Sequence, residues 1–243
     1  MIADLRAVVW KERRSLTHGR SRRQLLILGS FVAIWAVWLG SDWEAEGVMS
    51  FLLALVLPAL GVALTVPEAF AGERERKTLA TLLASPLSDR AILYGKLVIP
   101  VLIGWLGMLL VLVLSSVVAN ATDPDGGIRF YSPLAVFQAV VLGFLVAVMA
   151  GALGVAISLR ARGVQEAQQT LSLMMFLPAM ILGFLVFVIA QLGGGIRDFA
   201  ARFEAVDAGL VTLAVLAVLI LLDVLLLAMA QRRFRRGRLI GTL

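Results

Sequence analysis

One acidic residue, Asp223, lies deep within the late apolar run 209–230. The basic tail begins about eight residues later, or ~12 Å along a helix at ~1.5 Å per residue, which is far for a short carboxylate to reach. Carboxylates inside a membrane usually face the helix bundle or water, so binding of a proton or another cation is the chemistry expected of Asp223. A structural ion pair with Lys96 or Arg160 is the alternative, and the sequence leaves both open.

A second group of charged residues occupies the polar stretch 71–96, which reads AGERERKTLATLLASPLSDRAILYGK. Glu73 and Lys77 are spaced i, i+4 in the favourable order for an ion pair on a helix. An apolar stripe at helical spacing follows, formed by Leu79, Leu82 and Leu83. The pattern predicts a short helix parallel to the membrane, charged at its start and apolar further on.

This short helix should end at Pro86, which lacks a backbone N–H and clashes with the preceding turn. Ser88 or Asp89 can then cap the next helix, which leads through Lys96 into another apolar run. The short helix is suited to docking a partner, but it could equally be a hairpin tip that caps the helix bundle against water. The residues alone leave both readings open.

The residue types and motifs that the sequence lacks exclude several kinds of chemistry. The chain has no cysteine and a single histidine, His18, which rules out disulfides, thiolate chemistry and a histidine metal cluster. The one Gly-Lys pair, Gly95-Lys96, lacks the upstream glycine and the following Ser or Thr of a nucleotide-binding loop. A second intramembrane Asp is also missing, so an intramembrane hydrolase is not supported, and the chain is expected to be no enzyme by itself.

The composition indicates that most of the 243 residues lie in a membrane. Hydrophobic residues make up 60% of the chain and charged residues only 16%, whereas soluble domains have about 45–50% and ~25%. The apolar residues form six runs, each near the ~20 residues that cross a bilayer. These predicted spans are 25–40, 49–70, 97–118, 134–159, 170–192 and 209–230.

The charges predict the orientation of these spans. If both termini are cytoplasmic, all but three of the 22 Lys and Arg residues fall on the cytoplasmic side, the exceptions being Arg129, Arg197 and Arg202. The opposite side then holds eight acids, namely Asp42, Glu44, Glu46, Asp123, Asp125, Asp198, Glu204 and Asp207. The positive-inside rule therefore favours cytoplasmic termini, and the net charge of +6 indicates topology and not nucleic-acid binding.

The amino-terminal segment 1–23 is expected to remain attached as an interfacial amphipathic helix, because no cleavage site follows it. Its predicted apolar face consists of Ile2, Leu5, Val8, Val9 and Leu16, and its polar face of Asp4, Lys11, Glu12 and Arg14. The predicted architecture is therefore an all-α membrane protein with one transmembrane domain over 1–243, an interfacial helix, six transmembrane helices and a cytoplasmic loop over 71–96.

Other polar and small residues within the spans have more than one reading. Five could line a path or make interhelical hydrogen bonds, namely Ser115, Ser116, Gln138, Ser172 and Gln191. The series Ala150, Gly154, Ser158 has small-xxx-small spacing, which predicts close helix packing within the bundle or between copies. Pro58, Pro67, Pro100 and Pro178 are expected to kink or break their helices.

The stretch from Phe70 to Ser88, FAGERERKTLATLLASPLS, followed by ILYGK ending at Lys96, resembles the signature of the type-2 ABC transporter permeases. In that family the motif follows the second of six spans, as it does here. The resemblance covers about thirty residues by motif and the whole chain by topology. Lys77 departs from the family pattern, in which glycine commonly precedes the threonine.

The resemblance implies a permease subunit of an ATP-driven exporter in the inner (plasma) membrane, paired with a second permease chain, identical or homologous. Two copies of a separate ATP-binding subunit would hold the ATP and magnesium, and this chain would bind no cofactor. By matching positions, the resemblance assigns coupling to the ATPase to ten residues: Glu73, Arg74, Glu75, Thr78, Leu79, Leu82, Leu83, Pro86, Leu87 and Ser88.

A self-sufficient secondary transporter or channel using Asp223 is the alternative function. Such proteins usually show several intramembrane polar groups or inverted repeats, which the sequence lacks. The transported substrate is left open. The family exports lipids, polysaccharides, drugs and ions, and the apolar bundle mildly favours a hydrophobic or amphipathic cargo.

Overall fold

The computed structural model describes residues 2–15, 20–41, 46–78, 84–122, 127–192 and 208–234, and within these ranges the regular structure is entirely helical. We number the helices α1 to α7 in chain order. They are α1 (Ile2–Ser15), α2 (Arg20–Ser41), α3 (Glu46–Glu75), α4 (Asp89–Thr122), α5 (Pro133–Ser158), α6 (Val164–Leu192) and α7 (Ala208–Arg233). The all-α prediction is confirmed.

Four helices in the described ranges are long and apolar enough to cross a membrane. They are the Val56–Glu75 part of α3, α4, α5 and the Gly209–Arg233 part of α7. They coincide with four of the six predicted spans. The apolar part of α2, Leu26–Gly40, is shorter, and α6 covers the fifth predicted span, so the count of six spans and the cytoplasmic termini stay predictions.

Helix α3 lies at the centre of the bundle, packed against α4, α5 and α6. Its side chains Val62, Val66 and Phe70 are at most 1% exposed and form part of the main core. The backbones of α3 and α4 approach closely where the two helices cross. A Cβ added to Gly104 would lie 2.5 Å from the carbonyl oxygen of Pro58. Glycine is therefore required at this crossing.

The small residues of α5 pack within the bundle. Ala150 and Ser158 are fully buried, and a Cβ added to Gly154 would lie 2.8 Å from Val66 of α3 and 3.0 Å from Leu171 of α6. The spacing prediction of close helix packing is confirmed, and the packing lies inside one chain.

Helix α5 contains a π-helical turn, Gln138–Leu142, near its start. Next to this turn, the indole N–H of Trp105 donates to the carbonyl of Val140 at 2.9 Å. The buried amide of Gln138 donates to the hydroxyl of Thr212 at 2.8 Å, which joins α5 to α7. Ser115 bonds to Tyr131, and Ser116 donates to the carbonyl of Arg129, both in the loop before α5. Of these three residues, Gln138 alone makes the predicted interhelical hydrogen bond.

Prolines do not break the helices in which they lie. Helix α3 continues through Pro58 and Pro67, and α4 continues through Pro100. Of the two predicted outcomes, a kink or a break, the break does not occur at these three positions. Dense packing of α3 and α4 against their neighbours compensates for the lost backbone hydrogen bonds.

Within the amino-terminal segment, Ile2–Ser15 form α1, which packs against the start of α4; its interfacial position stays a prediction. Val8 is 3% exposed. Its side chain lies so close to Gly95 that a Cβ added to this glycine would be only 2.7 Å away. Trp10 is exposed, and the Arg14 guanidinium lies over its ring. The assignment of Glu12 to the polar, outward face was wrong, because Glu12 is buried against a lysine of α4.

Candidate functional site

The charged motif at 73–77 forms the end of α3. The helix ends at Glu75. Two backbone hydrogen bonds, each 3.0 Å long, cap this end: the Thr78 N–H donates to the Glu73 carbonyl, and the Lys77 N–H donates to the Arg74 carbonyl. Lys77 has a φ of +56°. This is a Schellman motif, whose left-handed residue is usually glycine. The departure of Lys77 from the family pattern thus falls where the backbone favours glycine.

The predicted ion pair between Glu73 and Lys77 is not formed among the described residues. Lys77 leaves the helical path one turn after Glu73, and Glu73 turns inward. The prediction that these charges begin a separate short helix was therefore wrong for 73–75, which are the last residues of α3.

Lys96 is the centre of a buried polar cluster. Its side chain is 1% exposed, and its ammonium donates to Glu12 at 2.6 Å, to Glu73 at 3.1 Å and to the carbonyl of Ala69 at 2.9 Å. The ring of Phe70 lies 6.0 Å from the same ammonium. A buried ammonium needs such partners, because an unpaired charge is costly in a medium of low polarity.

Glu73 also accepts from residues at the surface. The ammonium of Lys11 lies 3.0 Å from its Oε1, and the Thr78 hydroxyl donates to its other carboxylate oxygen. We call Lys11, Glu12, Glu73 and Lys96 the lysine–glutamate cluster. It contains two positive and two negative side chains and joins α1, the end of α3 and the start of α4.

The two residues after Glu73 bind the next pair of helices. The Arg74 guanidinium donates to the carbonyls of Leu159 at 2.7 Å and Ala161 at 3.3 Å, just beyond the end of α5. The Glu75 carboxylate accepts the N–H of Val164 at 2.7 Å, at the start of α6. A cation near a helix carboxyl terminus and an anion near an amino terminus are the favourable placements for the helix dipole.

Gly163 leaves room for this contact between α3 and α6. A Cβ added to Gly163 would lie 2.5 Å from the Glu75 carboxylate oxygen. Two turns before Glu75 in α3, Glu68 forms an ion pair with Arg76. The end of α3 is therefore bonded to α1, α4, α5 and α6 by successive residues.

The structure divides the ten predicted coupling residues into three groups. Glu73, Arg74 and Thr78 bond within the chain, and Glu75 does so while its side chain stays largely exposed. Pro86 and Ser88 lie exposed in the turn before α4, with Leu87 half-buried against the core. Leu79, Leu82 and Leu83 lie outside the described residues.

The sequence offered Ser88 or Asp89 as the N-cap of α4, and the cap is Ser88. The N–H of Ala91 donates to its hydroxyl at 3.3 Å, and the N–H of Ile92 donates to its carbonyl at 3.1 Å. The turn formed by 84–88 is thus fixed directly to the helix that carries Lys96.

Asp223 lies apart from this site, on the face of α7 that packs toward the bundle. Its side chain is 5% exposed, and neither carboxylate oxygen has a hydrogen-bond partner in the described part of the chain. The predicted structural pair with Lys96 or Arg160 is not formed. Lys96 is satisfied by Glu12 and Glu73.

Sequence reasoning missed the cluster that Lys11, Glu12 and Lys96 form with Glu73. No local signal marks them, since Lys96 is 84 residues from Glu12 and 23 from Glu73. One indication was available, because a lysine at the start of an apolar run must either reach water or find carboxylates.

A family model described as "ABC-2 family transporter protein" matches residues 44–203, more than half of the chain. The matched region includes α3, the charged motif, α4, α5 and α6. Among curated proteins no match was found.

Proposed function

This chain belongs to the ABC-2 transporter family, and from that premise we propose that it is the permease subunit of an exporter whose ATPase is a separate chain. The chain itself carries no nucleotide-binding loop. The regular structure of the described residues is all helical, and their four long apolar helices fit the membrane-embedded part of such a transporter. We place it in the inner membrane with both termini cytoplasmic, as the charge asymmetry favours.

The observation that carries the proposal is the bonding of three consecutive residues at the end of α3. Glu73 binds α1 and α4, Arg74 binds the end of α5, and Glu75 binds the start of α6. A displacement of the segment 76–88 would therefore act on several helices at once. That is the mechanical property required of an element that couples an ATPase to a helix bundle.

In the proposed mechanism, two ATP-binding subunits close on ATP and push the segment 76–88 of each permease chain. The lysine–glutamate cluster and Arg74 transmit the displacement, because ion pairs buried in a low-dielectric setting resist separation. The helices then move between inward-open and outward-open arrangements. A second permease chain, identical or homologous, completes the pathway.

The contact with the ATPase would involve exposed residues of this segment and the last residue of α3. Glu75, Thr78, Pro86 and Ser88 are exposed there, and in the proposal they set the register of docking. Leu79, Leu82 and Leu83 would supply the apolar anchors, since desolvated apolar side chains carry most of the affinity in protein interfaces.

A co-purification experiment tests the partner. The tagged chain is purified from its native membrane, bound proteins are identified by mass, and ATPase activity is measured for the wild type and for Leu82→Glu with Leu83→Glu. The matched control places the same two charges at the other end of the bundle, as Ile128→Glu with Phe130→Glu, where both side chains are more than 70% exposed.

We expect an ATP-binding subunit to be retained by the wild type and by the control, and lost from the Leu82/Leu83 variant. A stable wild-type complex without any nucleotide-binding protein would overturn the proposal. Equal loss from both variants would show a general effect of added charge and would also count against docking at the leucines.

Arg74 provides a separate test of coupling. We expect Arg74→Met to retain the ATP-binding subunit while losing the ATP-dependent movement of the bundle. Because the chain has no cysteine, a single cysteine at Ile128 can carry a spin label in each permease chain, and the distance between labels can be compared with and without trapped nucleotide. The control is Arg162→Met, whose side chain is exposed near the same end of α5.

Asp223 supports a second candidate function, in which the chain couples transport to a proton or another cation. The observation in its favour is a buried carboxylate without a hydrogen-bond partner in the described ranges. Transport that continues without ATP hydrolysis but stops in Asp223→Asn would favour this function over the first.

A further inference from the structure

A groove of about 410 Å³ lies between α5, α6 and α7 at the end of the bundle where the basic residues gather. Its walls are mostly apolar and include Leu153, Ile157 and Leu226. Two arginines line it, Arg160 just beyond the end of α5 and Arg233 at the end of α7. The volume is within the range of about 300–1,000 Å³ typical of small-molecule sites.

These two arginines have no carboxylate partner in the described ranges. Glu166 of α6 also lines the groove, and its carboxylate accepts the N–H of Arg162 at 2.8 Å. The three charged side chains therefore leave one excess positive charge in the lining of the groove. An anion between Arg160 and Arg233 would meet two planar donor groups of the type that binds phosphate best.

We propose that this groove binds an anionic phospholipid, with the phosphate between Arg160 and Arg233 and an acyl chain along Leu153 and Leu226. The apolar wall distinguishes a lipid from a free phosphate, because an inorganic ion would leave that wall exposed. Basic pockets between membrane helices at the cytoplasmic interface bind anionic headgroups on the same physical basis. Lipid binding here would be additional to the proposed permease function.

A second groove provides an internal control. It is smaller, about 270 Å³, and lies between α4 and α7 with Arg90 and Arg232 in its lining. Asp89 lines it as well, and its wall includes the polar Gln231. It has the same number of arginines near the same end of α7, but less apolar surface for an acyl chain.

Native mass spectrometry of the chain as purified from its native membrane, with or without retained partners, measures binding of phosphatidylglycerol and of phosphatidylcholine. We expect phosphatidylglycerol to bind more tightly to the wild type. Arg160→Gln with Arg233→Gln should weaken it about 25-fold, because each arginine near an anionic headgroup contributes about a fivefold factor. Arg90→Gln with Arg232→Gln, which removes the same charge, should leave the affinity unchanged within about twofold.

Ala156→Trp tests the apolar wall without changing the charge, since Ala156 lines the groove. We expect it to weaken phosphatidylglycerol binding as well. Equal weakening by both arginine pairs, equal binding of the two lipids, or displacement of lipid by inorganic phosphate would each overturn the proposal. A photocrosslinker at position 156 that captures a second copy of this chain instead of lipid would also overturn it.

The binding measurement requires neither ATP nor an ATPase. Its failure would therefore leave the permease function untouched, and failure of the co-purification experiment would leave the lipid site standing.

Discussion

The ammonium of Lys96 lies 2.6 Å from a carboxylate oxygen of Glu12, across a separation of 84 residues. The same ammonium also binds Glu73. One lysine thus fixes the amino-terminal helix and the end of α3 to the start of α4. Since Lys96 is 1% exposed, water cannot replace these partners if one is removed.

Replacement of Lys96 by methionine should destabilise the protein strongly. The change leaves Glu12 and Glu73 facing each other without their shared cation, and breaking a buried ion pair from one side costs ~3–5 kcal/mol. Thermal unfolding in one detergent, followed by tryptophan fluorescence, measures the loss. Lys11→Met is the control, because Lys11 is 51% exposed and surface pairs contribute only ~0–1 kcal/mol.

A triple variant distinguishes the effect of leaving buried carboxylates unpaired from the effect of losing the Lys96 side chain. Lys96→Met combined with Glu12→Gln and Glu73→Gln removes all the buried charges together, and neutral replacements of whole buried clusters are often tolerated. We expect it to recover much of the stability lost in Lys96→Met. A triple variant less stable than the single one would contradict an electrostatic role for the cluster.

Lys77→Gly should stabilise the protein. The residue has a φ of +56°, a conformation that costs about 1–2 kcal/mol for a residue with a Cβ and little for glycine. Allowing for the greater freedom of glycine in the unfolded chain, we expect a net gain of about 1 kcal/mol. Lys77→Ala is the control and should change the free energy of unfolding by less than ~0.5 kcal/mol. Similar gains in both variants would mean that loss of the charge is responsible.

Gly104→Ala should destabilise the crossing of α3 and α4. Its new Cβ would lie 2.5 Å from the Pro58 carbonyl oxygen, and forcing packed helices apart costs ~1–3 kcal/mol. Gly107→Ala, one turn further along α4, is the matched control, because its Cβ would meet nothing closer than 3.9 Å. A drop in melting temperature for Gly104→Ala alone is the expected result, and equal effects would exclude a special role for the crossing.

Local features of the fold followed from the sequence, whereas contacts between distant segments did not. The Ser88 cap and four apolar helices depend on neighbouring residues and on hydropathy, which the sequence displays directly. The inward position of Glu12 depends on the distant Lys96, so the amphipathic pattern alone placed it on the wrong face. Likewise, Pro58 and Pro67 do not end α3 because tertiary packing outweighs their local tendency.

The charged motif shows the same limit within the candidate site. Its position after the second predicted span indicated a functional segment, but spacing alone paired Glu73 with Lys77. The actual partners are Lys11 and Lys96, which become neighbours only when α1 and α4 pack beside α3. Prediction of such a cluster would require the helix arrangement in advance.

Asp223→Leu should raise the stability of the protein. The carboxylate is 5% exposed and has no hydrogen-bond partner in the described ranges, and an unsatisfied buried polar group costs about 1–3 kcal/mol. Leucine removes that cost and suits the apolar face of α7. Asp223→Asn is the control, since its amide is equally unsatisfied and should gain less. If Asp223→Leu unfolds at a higher temperature but loses ATP-driven activity, the carboxylate of the wild type serves function at the expense of stability. If stability falls instead, a structural partner exists in the assembled transporter, and the cation-coupling hypothesis loses its support.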